Sequence, residues 1–171
     1  MPAHSHHNSV LAYIGVGANL GDASNTMHAA IDSLAKSPGI ELLKSSHFYA
    51  SAPVDAPGPN YTNAVISIQT TLDVLGLLER IQQIEQQHGR ERLFRNAPRT
   101  LDLDLLWFDN QTIDLPQLTV PHPRAYQRAF VLMPWADITP SNFVLSHAGV
   151  AKKLSAWRAA VTDQTCIKYP A

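Results

Sequence analysis

Tyr61-Thr-Asn-Ala-Val-Ile-Ser-Ile-Gln-Thr-Thr71 is the stretch on which the fold turns. Side chains of an extended chain alternate in direction, so Thr62, Ala64, Ile66 and Ile68 share one face and Tyr61, Asn63, Val65 and Ser67 the other. The alternation predicts a strand. Directly after it Asp73 is placed to cap a helix whose Leu77, Leu78, Ile81 and Ile84 form an apolar stripe, and Gly89 suits the left-handed position at a helix end. A similar pair stands upstream. Val10-Leu-Ala-Tyr-Ile-Gly-Val-Gly17 is rich in β-branched and aromatic residues and runs into the turn-forming Gly17-Ala-Asn-Leu-Gly-Asp22. Met27, Ile31 and Leu34 then recur at helical spacing, with Asp22 or Ser24 as the cap and Ser37-Pro38-Gly39 as the stop. Residues 40–50 read as a second strand and Thr100 to Phe108 as a fourth, while the three prolines of Ser51 to Asn60 make that segment a stiff loop. The order strand, helix, strand, strand, helix, strand predicts an α+β ferredoxin-like sandwich with helices over one face of an antiparallel sheet. Val150, Leu154, Trp157 and Val161, following Ser146, predict a closing amphipathic helix.

A chain of 171 residues with 45% hydrophobic and 16% charged residues is globular and fits one domain, expected over residues 10–161, with tails at 1–9 and 162–171. The net charge of -1 provides no global field toward nucleic acid or an anionic membrane, so any anion site must be local. No apolar run approaches the ~20 residues of a membrane helix. A lone Cys166 and a start, MPAHSHHNSV, without a secretory pattern lead to the expectation of a cytoplasmic protein, and a monomer is expected. The histidines of that start, His4, His6 and His7, read as a frayed tail.

Charge is unevenly placed. No lysine lies between Lys44 and Lys152, whereas six of the eight arginines fall between Arg90 and Arg128. Within Arg95-Asn-Ala-Pro-Arg-Thr-Leu-Asp-Leu-Asp-Leu-Leu-Trp107, a strand would turn Leu101, Leu103, Leu105 and Trp107 to the core and bring Asp102 and Asp104 together on the other face, their Cα atoms ~6 to 7 Å apart. Two like charges on one patch cost stability unless a cation sits between them, and magnesium, which takes one or two carboxylates with water and phosphate oxygens, suits the pair. The alternative is a solvated strand end. From Arg90 to Arg99, four arginines and one glutamate form a basic loop that suits a polyphosphate or, alternatively, neutralises the acidic pair by surface ion pairing. Pro121-His-Pro123 holds His122 in a stiff loop beside Arg124, Arg128 and Phe130, although a lone histidine is more often structural. Gly15, Gly17 and Gly21 miss the dinucleotide fingerprint by one position, which argues against a Rossmann site.

These motifs, in order, resemble the 6-hydroxymethyl-7,8-dihydropterin pyrophosphokinases of folate biosynthesis. The resemblance runs through Tyr13-Ile-Gly-Val-Gly-Ala-Asn-Leu-Gly21, Phe48-Tyr49, Asn60-Tyr-Thr-Asn-Ala64, Pro98-Arg-Thr-Leu-Asp-Leu-Asp-Leu105, Val120-Pro-His-Pro123 and Arg128-Ala-Phe-Val-Leu-Met-Pro134. It implies transfer of the terminal diphosphate of ATP to the pterin hydroxymethyl oxygen, with two Mg2+ ions on Asp102 and Asp104. It further implies that Gln82, Glu85, Arg92, Arg99, Leu105, Thr119, His122 and Arg128 meet ATP, with Arg92 and Arg99 also catalytic. For the pterin it implies a sandwich between Tyr61 and Phe130, a hydrogen-bonding Asn63, and a slot lined by Ser51, Ala52 and Val54. Gln82 and Glu85 equally fit a solvated helix flank, and Phe130 equally fits a core. Asn96 stands where some members carry tryptophan, and the proline loop is one residue shorter than in others.

Two rivals belong to other classes. A ferredoxin-like nucleic-acid module would need a basic sheet with an aromatic run, and the net charge and the aspartate pair oppose it. A non-catalytic pterin-binding protein would keep Tyr61, Asn63 and Phe130 without needing Asp102 and Asp104.

Overall fold

The computed structural model describes residues 8–19, 22–51, 61–88 and 101–169. The elements are β1 (Val10–Ala18), α1 (Ala23–Ala35), β2 (Ile40–Ser45), β3 (Tyr49–Ser51), β4 (Tyr61–Thr70), α2 (Val74–Gln87), β5 (Asp102–Phe108), β6 (Ile113–Leu115), β7 (Leu118–Val120), α3 (Ala129–Asp137), β8 (Val144–His147), β9 (Val150–Lys153), α4 (Leu154–Ala159) and β10 (Cys166–Lys168). Both expected caps form: Asp22 accepts from the Asn25 N–H and Asp73 from the Gly76 N–H, satisfying donors that a helix start leaves without intrahelical partners. Gly39, at φ +80, ends the turn after α1.

The main sheet is antiparallel, in the order β10-β3-β4-β1-β5, with β2 also on β4. The expected second strand is thus split into β2 and β3, which take successive lengths of β4. With β2 and β3 counted as one edge, the order is that of a ferredoxin-like sheet.

One sheet face packs Ile14, Val16, Ala64, Ile66, Leu103 and Leu105 against Met27, Ile31 and Leu34 of α1 and Leu77, Ile81 and Ile84 of α2. Contrary to the expectation of helices on one face, the opposite face is also covered, where Tyr13, Val65 and Leu106 pack against α3 and α4. Trp107 lies on this second face, not with Leu103 and Leu105. The register of β5 on β1 shifts between Tyr13 and Ile14, so that Tyr13 meets Trp107 but Ile14 meets Leu105. The extra residue is Leu106, and a bulge of one residue reverses the parity of everything beyond it.

The closing helix is also shorter than expected. Residues 144–153 form the β8–β9 hairpin, turned at Ala148 and Gly149, both at positive φ as a tight hairpin turn requires. Val150 is exposed, while Leu154 and Trp157 on α4, and Val161 just beyond it, are buried. The stretch 162–171, expected as a tail, supplies β10 on β3. Most of the expected 1–9 tail, the arginine loop 90–99, Gly89 and residues 52–60 lie outside the described residues. Among the described residues no helix is long and apolar enough to cross a membrane.

Candidate active site

The second sheet face is covered only in part. At one end Tyr13, Val65 and Leu106 fill the space under α3, but along β1 the next residues on that face are Gly15 and Gly17. Having no side chains, they leave a hollow above the sheet. Gly15 sits between Val65 on β4 and Asp104 on β5, and Gly17 between Asn63 and Asp102. Asp102 and Asp104 therefore flank the hollow on one side and Asn63 on the other.

A cavity of about 710 Å³ occupies this place. Among its described lining residues are Ser51, Tyr61 and Asn63 from β3 and β4, and Asp102 and Asp104 from β5. Arg124, Gln127 and Arg128 come from the segment leading into α3, Phe130 from its first turn, and Asp163 and Gln164 from the stretch after α4. Asn63 is buried, and its Oδ1 accepts from Ser51 Oγ at 3.0 Å, which orients the amide. The arrangement leaves the Asn63 Nδ2 group beside Gly17, where an added Cβ would lie 2.8 Å from it. The Tyr49 hydroxyl donates to the Asp137 carboxylate, whose two oxygens lie 2.9 and 2.8 Å away, joining β3 to the end of α3.

Cations face the acidic pair. The Arg128 guanidinium lies 5.6 Å over the Phe130 ring. Burial lowers its pKa, Asp104 opposes that shift, Arg124 adds to it and Asp102 opposes it, yet an arginine stays protonated. His122 is pushed below the usual histidine range, first by burial and then by Arg128 and Arg124, against the pull of Asp104. Its Nδ1 accepts the Arg124 N–H at 3.2 Å, which in the neutral ring assigns the proton to Nε2. The backbone N–H of His122 donates to the Leu106 carbonyl at 3.0 Å, docking this loop on the outer edge of β5.

The structure thus gathers seven of the expected residues, Ser51, Tyr61, Asn63, Asp102, Asp104, Arg128 and Phe130, in one cavity. His122 stands within electrostatic reach of it. Gln82, Glu85, Leu105 and Thr119 are not among the described lining residues. Gln82 and Thr119 are exposed, whereas Glu85 is no solvated flank: it is 5% exposed and its Oε2 accepts the Leu103 N–H at 3.2 Å on the edge of β5 away from β1. Leu105 is packed in the core, so it can offer a ligand only its backbone, which by the two-residue period faces the same outer edge as that of Leu103. Ala52, Val54, Arg92 and Arg99 lie outside the described residues.

Sequence reasoning passed over Gln127, Asp163 and Gln164, and it took Gly15 and Gly17 as strand, turn and family-motif residues without assigning them to the cavity. A pair of glycines alternating on one strand face was the available signal for a hollow there. For residues after α4 no local pattern pointed to the cavity.

Residues 13–140 match the family of the 7,8-dihydro-6-hydroxymethylpterin-pyrophosphokinases. The chain belongs to this family. It is 43% identical over 129 residues to the 2-amino-4-hydroxy-6-hydroxymethyldihydropteridine pyrophosphokinase of Pseudomonas aeruginosa, covering 75% of this chain and 80% of that protein. To the enzyme of the same name from Haemophilus influenzae it is 38% identical over 146 residues, covering 85% of this chain and 91% of that one. Among solved structures, wild-type HPPK-DHPS of Plasmodium falciparum superposes with a TM-score of 0.68 at 14% identity, over 91% of this chain and 42% of that chain. The chain spans less than half the length of that protein, and at this identity the likeness concerns the fold alone. The activity that goes with family membership is diphosphate transfer from ATP to the hydroxymethyl group of 6-hydroxymethyl-7,8-dihydropterin, a step of folate biosynthesis.

Proposed function

We propose that this cavity is where the transfer takes place, with the pterin held between Tyr61 and Phe130 and the ATP phosphates held between the acidic pair and the basic loop residues. The observation that carries the reading is the meeting, in one cavity, of two aromatics, an oriented buried amide, two carboxylates and Arg128. Flat aromatic rings suit a flat heterocycle, and the Asn63 amide, fixed by Ser51, can pair with a ring edge that presents both donors and acceptors. Ala52 and Val54 would complete the slot.

Asp102 and Asp104 fit Mg2+. Their strand presents two hard oxygen donors to a cavity kept open by Gly15 and Gly17, and no group of three or more His, Cys, Asp or Glu side chains is assembled among the described residues. A magnesium site of this kind takes its remaining ligands from water and substrate phosphates. Two Mg2+ ions so held would neutralise phosphate charge and make the β-phosphorus more electrophilic. Arg128 is held in the cavity as a permanent cation for the transferring phosphates, and the Nε2–H of neutral His122 is a donor for a phosphate oxygen. Arg92 and Arg99 would add charge from the basic loop. Glu85 anchors the strand that carries the acidic pair, while Gln82, Thr119 and the Leu105 backbone would meet the nucleoside.

In the transfer the pterin hydroxyl oxygen bonds to the β-phosphorus, the bond from that phosphorus to the oxygen bridging to the α-phosphate breaks, and the hydroxyl proton passes to solvent. AMP leaves. Such chemistry depends on positioning and charge more than on a strong base. We further propose that the enzyme works as a cytoplasmic monomer. Chromatography of a reaction with ATP, magnesium and the reduced pterin tests the proposal: AMP should appear in step with pterin consumption and only with a divalent ion. ADP as the stoichiometric product would overturn it.

A further inference from the structure

Arg128 occupies the N-cap position of α3, in extended conformation at φ -117 and ψ 110, and its side chain makes no capping bond. A helix start leaves N–H groups without intrahelical acceptors, and Ser, Thr, Asn or Asp usually supplies one from this position. Here the side chain at the position is turned to the cavity instead. The missing acceptor comes from 35 residues downstream: Gln164 Oε1 accepts the Ala129 N–H at 2.9 Å, while Gln164 Nε2 donates to the Gln127 carbonyl at 3.0 Å. One amide thus bonds the backbone on both sides of Arg128, in the manner of a single rung of a β-ladder.

We propose that Gln164 is a positioning residue for the diphosphate transfer: by clamping Gln127 and Ala129 it fixes the backbone of Arg128 and so the direction in which the guanidinium enters the cavity. The role rests on the function proposed above. Gln164 is itself held from both ends. Before it, the N–H groups of Ala160 and Val161 donate to the carbonyls of Trp157 and Arg158, which ends α4. After it, Cys166 pairs with Ser51, and Tyr169 donates its N–H to Phe48 at 2.9 Å and places its hydroxyl 3.2 Å from Thr62 Oγ1. The segment from 160 to 169 therefore crosses from the Arg128 side of the cavity to the Ser51 side. It lies beyond residues 13–140, over which the family match extends.

The chemistry of the clamp selects its residue. Glutamine carries a donor and an acceptor on one fork, glutamate would lose the donor, and methionine keeps the length without either. Loss of two hydrogen bonds at a partly exposed site should cost Gln164→Met roughly ten-fold in kcat/KM for ATP, with a small change in melting temperature. If the amide acts through Arg128, the same substitution made in an Arg128→Ala background should cost less than about two-fold, because coupled residues are not additive. Gln164→Glu should fall between. Protection of the Ala129 amide against hydrogen exchange should drop in Gln164→Met. An equal fold loss in both backgrounds, full activity of Gln164→Met, or an unchanged Ala129 exchange rate would overturn the clamp. Absence of AMP formation by the unsubstituted chain would instead count against the function, and the exchange measurement would still decide the clamp.

Discussion

Gly17→Ala should damage pterin binding while leaving the fold intact. Gly17 lies within β1 and is not at positive φ, so its backbone does not need glycine, and replacing a strand glycine is worth about 0.5–1 kcal/mol of stability. What it needs is space. An added Cβ would stand 2.8 Å from Asn63 Nδ2, and a contact becomes ordinary only beyond 3.4 Å, so the amide must retreat by roughly half an ångström. It has little freedom to do so, because Asn63 is 8% exposed and its Oδ1 is engaged by Ser51 Oγ at 3.0 Å. Misplacing a buried hydrogen-bonding group costs about 1–3 kcal/mol, which in a binding constant is roughly a 5- to 150-fold loss of pterin affinity. Gly15→Ala is the matched control: its Cβ would meet Leu106 at 3.5 Å, an ordinary contact, and affinity should stay within about two-fold. Calorimetric titration of the reduced pterin, in the presence of a non-hydrolysable ATP analogue, reads the affinities, and thermal melting reads the fold. Wild-type affinity in Gly17→Ala, or an equal loss in Gly15→Ala, would refute the assignment of Asn63 to the pterin.

Asp104→Asn should lower turnover on the order of 100-fold, the usual effect of removing one electrostatic element of a transfer site, while calorimetry still detects pterin binding; a variant that keeps its turnover would remove Asp104 from the metal-holding role. His122 should titrate below the ordinary histidine value in the free protein and move upward when magnesium and the ATP analogue bring phosphate charge, which NMR of its ring protons can follow. Because burial favours the neutral ring, the unfolded chain binds the proton more tightly; stability should rise with pH through the window between the lowered folded value and the ordinary value of about 6.5, and fall as pH drops through it. A His122 that titrates above the ordinary value in the free protein would contradict its burial.

Much of this protein was legible in the chain itself because local rules govern it. Period-two alternation marked β4, helical spacing marked α1 and α2, and Asp22 and Asp73 marked their starts; each of these depends on neighbours within a few residues. The pairing of Asp102 and Asp104 was legible for the same reason, since they share a face by adjacency alone, and the motifs around them carried the family. Tertiary structure decided what local spacing leaves ambiguous. The bulge at Leu106 reversed the parity of β5, so Trp107 joined the opposite core. Val150 matched a helical stripe by spacing, but Ala148 and Gly149 turned the chain into a hairpin and left it exposed. Glu85 fitted either an ATP contact or a solvated helix flank by spacing, yet it is buried with its carboxylate accepting the Leu103 N–H at the edge of β5. The placement of Gln164 against Gln127 and Ala129, and of Cys166 against Ser51, joins segments far apart in sequence. Such contacts are set by the closing of the whole sheet and its two helical layers, for which no window of neighbouring residues holds the information.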